Sequence, residues 1–472
     1  MKIKGIYRFK TDIIAGKMLL AFSSGSIGTY DLDLTNSLSI ITISVGENNV
    51  FELEILPISS GKSLDANESV DYFSVFCTSV LLSKNFGFFL NLFNTDTAEG
   101  EDPLAPEIIK SITAFSIKNN VINFIEPHLF TTAPQVPVYA NIKKIDKNKA
   151  IWISGYSSFV GGVNLFARII SYSDTNAVTV GGEHNIESYS VIEDDDVLNN
   201  KGWAWSLMDS IVINDETVVL SYSRGKIVGY GSSWSARILV LGVTGDTINT
   251  TQSITIIEDL LSGYYENAIT RLKLASSQGK VFVYRERREE SGLVNNVLVK
   301  RFLSVIEPPA GISAEVELPY FYQMRTYLDY AGNSSRDASL HIFENYIIVF
   351  YIGSQVESNI SNINISLIKI DGDDFEQKDT IVPPYGNAFS GFVAILQSLY
   401  IVDLKKGVFC VVSLNSFVSD ISHLQINPFF FVITIDTTND KLICSDATEI
   451  KEYQNYFEKD YHGYLDIHKI KD

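Results

Sequence analysis

Asp209 and Glu344 are the carboxylates that the sequence places on strands facing the inside of a closed sheet assembly. Two carboxyl groups ~5–10 Å apart across a pocket can hydrolyse a glycosidic bond, one as acid and the other as base or nucleophile. These two are the candidates for that chemistry, with turn or surface roles as the competing reading. Cation binding is the second chemistry to weigh, because acidic residues cluster at 193–196 (EDDD) and at Asp371, Asp373 and Asp374. Calcium takes roughly six to eight oxygen ligands, and neither cluster has the ligand order of an EF loop. Asp371-Gly372-Asp373 suits a tight turn, and 193–196 suits a solvated loop. The histidines, His128, His184, His341, His423, His462 and His468, are scattered. G-x-S-x-G, H-E-x-x-H, a complete P-loop, a dinucleotide fingerprint and a sialidase-type Asp box are all absent, and Gly61-Lys62-Ser63 lacks the upstream glycine of a phosphate cradle. The sequence therefore assigns no catalytic residue, no metal site and no cofactor.

Aromatic residues crowd the segments between apolar runs. Trp203 and Trp205 precede the fourth of seven similar units, Tyr230 and Trp234 lie within it, Tyr264 and Tyr265 precede the fifth, and Tyr327 and Tyr330 precede the sixth. Exposed rings with a polar tip suit protein hot spots and sugar stacking, whereas buried ones would seal neighbouring sheets. Taken as exposed, these eight residues form the expected binding surface for a protein or a glycan.

The elements that must position them recur. Short apolar strands at 18–22 (MLLAF), 88–93 (FFLNLF), 151–156 (IWISGY), 218–222 (VVLSY), 281–284 (VFVY), 347–351 (IIVFY) and 408–414 (VFCVVSL) end 71, 63, 66, 62, 67 and 63 residues apart. A period that steady signals an array of equivalent units. The fourth unit resolves into four strands with tight turns between first and second and between third and fourth, and long second-to-third connections are expected throughout. Seven four-stranded antiparallel meanders predict an all-β, seven-bladed propeller, whose radial closure removes exposed sheet edges. It would be a single domain over 1–472, with blades near 1–60, 70–130, 136–190, 203–258, 265–320, 338–384 and 390–450. The segment 451–472 would close the ring, its strand 464–470 lying beside 5–9 so that both termini share one blade. One face is then loop-rich and the other trimmed, and function is expected on the loop-rich face.

The stretch 216–248, ETVVLSYSRG followed by SARILVLGVTGDTI, resembles a repeat of bacterial and phage-associated propellers in which an FVVAYxDG strand precedes ARVGTVSGDTI. The resemblance implies a propeller and a virion or surface-associated setting, and no activity.

Charge and cysteine content narrow the partners. The net charge of −19 argues against a nucleic-acid backbone partner, which needs a positive surface. No run of about 18 apolar residues predicts membrane insertion, and Lys17 interrupts the signal-like 13–22, which is read as a strand. A virion or the cytoplasm is favoured over secretion. Cys77, Cys410 and Cys444 form no disulfide framework, and Cys410 and Cys444 are expected on the second and fourth strands of one blade. The run 285–290 (RERREE) reads as a solvated, salt-bridged loop. Together these features predict a non-catalytic interaction or structural module whose aromatic, acidic face binds a protein or carbohydrate. A propeller glycoside hydrolase is the alternative.

Overall fold

The computed structural model describes residues 2–6, 16–27, 32–45, 50–55, 76–94, 108–119, 121–125, 128–132, 136–158, 162–173, 178–189, 203–228, 231–263, 269–289, 296–308, 311–313, 315–318, 322–325, 338–354, 361–372, 374–383, 394–405, 407–420, 423–445, 448–449 and 465–470. Every regular element among them is a strand, and every pairing is antiparallel. The chain folds as a β-propeller of seven blades.

Blade 2 runs Phe76–Ser83, Phe86–Asn94, Ile108–Lys118 and a split outer strand, Val121–Phe124 and His128–Thr132. Blade 3 runs Val136–Asp146, Lys149–Ser158, Gly162–Tyr172 and the split pair Val178–Val180 and His184–Tyr189. Blade 4 is Trp203–Asn214, Thr217–Val228, Gly231–Thr244 and Thr247–Gly263. Blade 5 starts with Ile269–Ser277, Lys280–Glu289 and Asn296–Glu307, and blade 6 is Ala338–Phe343, Tyr346–Ser354, Ser361–Asp371 and Asp374–Ile381. A single pair, Gln323 with Ser354, links these two blades through the strand Tyr322–Arg325. Blade 7 is Ala394–Lys405, Val408–Asp420, His423–Asp436 and Lys441–Cys444.

Blade 1 is assembled from both ends of the chain. Its order is Lys2–Ile6, Val50–Ile55, Leu32–Val45, Gly16–Ile27, Leu465–Ile470. The C-terminal strand is innermost and pairs with 17–22, while the N-terminal strand is outermost and pairs with 50–54. The expected placement of the C-terminal strand beside 5–9 is thus corrected: the two termini lie on opposite edges of one blade. The inner strand Leu465–Ile470 packs between Ala394–Lys405 of blade 7 and Phe76–Ser83 of blade 2, so the ring closes without a covalent link.

The apolar runs that mark each unit in the sequence are second strands, and where their side chains are described, in blades 2 to 7, they are buried on both faces. Ile151 and Ile153 face blade 4 in one core cluster with Val218, Leu220 and Tyr222. Their neighbours Ala150 and Trp152 face blade 2 in another, with Phe88 and Leu90. A strand between two sheets loses the polar alternation of a half-exposed one, which is why these runs are continuous. The same sandwiching recurs between blades 4 and 5, 5 and 6, and 6 and 7. At Gly87 an added Cβ would lie 2.2 Å from the Val80 carbonyl oxygen and 2.7 Å from the Phe115 ring, so only glycine lets that ring close over the strand.

The tight turns between first and second strands appear where expected, with positive φ at Gln278 and Gly279 in blade 5 and at Glu344 in blade 6. The long second-to-third connections do not recur in every blade. In blade 4 the register runs to Val228 opposite Gly231, leaving two residues in the turn, and in blade 7 it runs to Asp420 opposite His423. Strands extended beyond the apolar core take the place of loops there, so parts of the loop-rich face are projecting hairpins.

One packing feature makes stability depend on pH. His341, on the inner strand of blade 6, lies 5.7 Å from the Phe350 ring and 5.5 Å from the Phe409 ring of blade 7, with its Nε2 2.5 Å from the Ser339 hydroxyl. Loss of hydration there lowers its pKa from 6.5 to about 4. The unfolded chain therefore binds this proton more readily, and the contribution of His341 is complete above pH 6.5 and declines as pH falls towards 4. His341→Leu is expected to gain about 1–3 kcal/mol relative to wild type between pH 7 and pH 4.5. Urea unfolding of both proteins at the two pH values checks this, and a difference that does not move with pH would refute it.

Candidate functional site

The channel at the centre of the ring is walled by the seven inner strands, and its described part holds a cavity of about 290 Å³ between blades 3, 4, 5 and 6. Lys143, Lys144, Asp209, Ser210, Lys273 and Ser339 supply the polar lining. These positions lie two to five residues before the tight-turn ends of their strands, which places the cavity in the half of the channel away from the projecting hairpins.

Asp209 faces this cavity but is already engaged. Its Oδ1 accepts the backbone N–H of Ser210 at 2.9 Å and its Oδ2 accepts that of Leu274, on the inner strand of blade 5, also at 2.9 Å. Asp379 repeats the arrangement further out, accepting the N–H of Thr380 and, across the blade boundary, the N–H of Leu442. Both carboxylates clasp neighbouring blades by satisfying edge amides that no ladder reaches. Glu344 is exposed in the two-residue turn between Phe343 and Tyr346, not on an inner strand. Asp209 and Glu344 therefore do not form a hydrolytic pair.

Other sequence-level candidates fall into place by location. Asp371 and Asp374 pair across an exposed turn with Gly372 at φ 64°, as turn chemistry requires, and 193–196 lies outside the described residues. No group of three or more metal-type ligands occurs among the described residues. Cys410 and Cys444 sit on the second and fourth strands of blade 7 with His423–Asp436 between them.

The run 285–289 is corrected from a solvated loop to part of a strand. Arg285 and Glu286 are 3% and 0% exposed. Alternate residues go to opposite faces. Arg285 packs 4.4 Å over the Phe302 ring and holds Glu315 through two hydrogen bonds of 2.8 and 2.5 Å, with Arg287 5.3 Å over the same ring. On the other face Glu286 accepts the Arg271 guanidinium at 2.7 Å and the Tyr284 hydroxyl at 2.5 Å. Arg271, Glu286 and Arg301 stand side by side across three consecutive strands. Arg301, fully buried, reaches Ser366 and Gln377 of blade 6 at 3.0 Å each and stacks 4.8 Å over Tyr351. Blades 5 and 6 thus meet through a dry charged network set above their shared apolar core. A smaller one joins blades 3 and 4: Glu187 accepts the Tyr222 hydroxyl and, at 3.1 Å, the Arg237 guanidinium. Burial, reinforced by Glu187, raises the Tyr222 pKa, so its proton stays on the hydroxyl.

The aromatic positions are partly described. Trp203 and Trp205 belong to the inner strand of blade 4 instead of preceding it, opposite Lys226 and Arg224. Trp234 lies on the third strand, not in a long loop, opposite Gly225 on one side and Leu260 on the other. All three are at the hairpin end of the blade. Tyr230, Tyr264, Tyr265, Tyr327 and Tyr330 lie outside the described residues.

No protein-family model and no curated protein matches the chain. Among solved structures, an α-L-arabinofuranosidase of Fusarium graminearum in complex with arabinobiose is 11% identical over 74% of this chain and 98% of its own, with a TM-score of 0.39. An α-L-arabinanase of Penicillium chrysogenum complexed with arabinobiose is 10% identical over 77% and 98%, with a TM-score of 0.36. An N-acetylgalactosamine deacetylase from F. plautii, in complex with a blood group B trisaccharide, is 10% identical over 70% and 93%, with a TM-score of 0.32. The expected non-catalytic interaction module, with its virion setting, is corrected by this finding: these three structures and the others compared with them are described as enzymes of carbohydrate chemistry. The phage-associated repeat family finds no counterpart among them, while the propeller that the resemblance implied is the fold observed.

Proposed function

We propose that this chain is a carbohydrate-acting propeller of the glycoside hydrolase class, with the saccharide seated at the hairpin end of the central channel. The observation that carries the reading is the placement of Trp203 and Trp205 at the start of the channel-lining strand of blade 4, with Trp234 at the same level two strands away. Tryptophan at the mouth of a concave, strand-walled opening suits stacking against the apolar face of a sugar ring. Arg224 and Lys226 lie across the ladder from Trp205 and Trp203, and residues of these types carry hydrogen-bond donors suited to sugar hydroxyls. Tyr230, Tyr264, Tyr265, Tyr327 and Tyr330 extend the same proposal to the neighbouring connections. The hydrolytic carboxyl pair would stand ~5–10 Å apart at this end.

A panel of polysaccharides and 4-nitrophenyl glycosides, headed by arabinan and arabinobiose, tests the reading through released reducing sugar and through calorimetric binding. Trp203→Ala and Trp234→Ala are expected to weaken binding by about 1–2 kcal/mol, roughly 5- to 30-fold, at an unchanged melting temperature. Absence of both turnover and binding across the panel would overturn the proposal.

A further inference from the structure

We propose that the tight-turn face of the disc is a docking surface for a second copy of this chain, the two copies meeting face to face about a two-fold axis. The saccharide mouth lies at the opposite end of the channel, so this proposal does not rest on it. Two positions on the tight-turn face recur from blade to blade. In blade 2 the Ile117 N–H donates to the Asn85 carbonyl at 2.8 Å, which joins the turn carrying Lys84 to the strand end carrying Lys118. In blade 6 the Ile370 N–H donates to the Asn345 carbonyl at 2.8 Å and joins the turn carrying Glu344 to the strand end carrying Asp371. Blade 3 repeats the turn with Lys147-Asn148, whose Asn148 carbonyl accepts the Tyr172 N–H at 3.0 Å.

Equivalent positions thus carry cations in blade 2 and carboxylates in blade 6. Lys84, Lys118, Lys147, Glu344, Asp371 and Asp374 are all exposed, and none of their side chains has an ion pair or hydrogen bond among the described residues. Lys144 and Lys149 are not counted with them, because Lys144 donates to the Leu82 carbonyl and Lys149 is paired with Asp246 at 3.0 Å. In a ring of seven, the boundary between blades 2 and 3 lies directly across the channel from blade 6. The face therefore has a basic edge and an acidic edge on opposite sides, in a chain whose acidic residues outnumber its basic ones by 56 to 37.

This arrangement selects the occupant. A two-fold axis lying in the face, at right angles to the line between the two edges, sets each basic edge on the partner's acidic edge, so every contact is made twice. A uniformly anionic partner, such as a nucleic acid or an acidic lipid surface, would meet Glu344, Asp371 and Asp374 on the same face and be repelled there. Two-residue turns in blades 2, 3 and 6 keep the face flat enough for two discs to approach. Val121, 47% exposed and opposite Lys118 across its turn, adds an apolar contact at the basic edge. Asp215 and Glu216, exposed in the turn of blade 4, lie near the axis and oppose close contact there, so the attraction comes from the two edges. Exposed ion pairs are individually weak and screened by salt, which makes the expected dimer weak and salt-sensitive.

The test is sedimentation velocity of the full chain over a wide range of protein concentration, at ionic strengths of ~0.01 M and ~1 M, where the screening length falls from about 30 Å to about 3 Å. A concentration-dependent dimer at low salt that dissociates at high salt is the expected result. Lys84→Glu/Lys118→Glu and Glu344→Lys/Asp371→Lys should each weaken self-association roughly ten- to hundredfold, since attraction becomes repulsion at both edges. All four positions are exposed, so both variants should melt like wild type. Mixing the two variants should restore a dimer, because each reversed edge then faces its opposite. A chain that stays monomeric at low salt, a dimer indifferent to charge reversal, or variants that fail to pair with each other would overturn the proposal. Capture of heparin or phosphatidylserine vesicles through Lys84 and Lys118 by a monomeric chain would also overturn it, by assigning the basic edge to an anionic partner.

Discussion

Deletion of residues 465–472 is expected to abolish the cooperative unfolding of the whole ring, not merely to shorten one sheet. The strand Leu465–Ile470 is the innermost of blade 1 and forms antiparallel pairs with 17–22. It is also the element through which blade 1 meets the inner strands of blades 7 and 2. Without it, the second strand of blade 1 would present an unpaired edge to the channel, and the packing of both neighbouring blades would lose a wall. In an array whose units are stable only through their neighbours, opening the ring leaves each blade with less support. The melting temperature should fall by at least ~10 °C or the transition should lose its sharpness, with aggregation through the exposed edge. A synthetic peptide spanning 463–472, added in trans, is expected to restore part of the loss. Differential scanning calorimetry checks both expectations, and a truncated chain that melts like wild type would remove the closure from the account.

Substitution of Glu286 carries the second large effect. Its carboxylate is fully buried and holds Arg271, 2% exposed, at 2.7 Å, and Tyr284 at 2.5 Å. Removing one partner of such a pair leaves the other charge in a dry interior, which costs about 3–5 kcal/mol. Glu286→Ala should therefore lower the urea-unfolding free energy by about that amount, and Glu286→Gln by less because the amide keeps one acceptor for the guanidinium. The double variant Arg271→Met/Glu286→Leu should recover most of the loss, since two well-packed apolar side chains can replace a buried ion pair at little cost. A loss below ~1 kcal/mol in Glu286→Ala would mean that water reaches the pair and that the network contributes little.

Much of the fold was legible because its causes are local. A run such as IWIS at 151–154 is apolar at every position because blade 3 is covered on both sides, and a doubly covered strand can be recognised without knowing what covers it. The spacing of about 65 residues follows from four strands per unit, and the turns at 278–279 and 371–374 carry residues suited to turns. The blade 5/6 network escapes a reading of the sequence for a physical reason. Arg285-Glu286-Arg287 looks solvated when read for charge alone, although its alternation continues the strand that begins at Val281. The signal that could have exposed it was period 2, with Tyr284 and Glu286 on one face and Arg285 and Arg287 on the other. Trp234 reads as a loop residue for a similar reason: the polar stretch GSSWS looks like a connection, but its backbone pairs on both sides.

By itself, the sequence determined the class of structure, the number of units and the continuous strands at their hearts, because burial on both faces and turn chemistry leave their mark on neighbouring residues. Only the tertiary structure decided that the last strand, not the first, lies innermost in blade 1, that Asp209 clasps two blades, and that Lys143, Lys144 and Lys273 meet around one cavity. Those facts depend on residues up to hundreds of positions apart being brought to one axis. No local pattern records such a meeting, since it arises from how seven separate sheets pack into a ring.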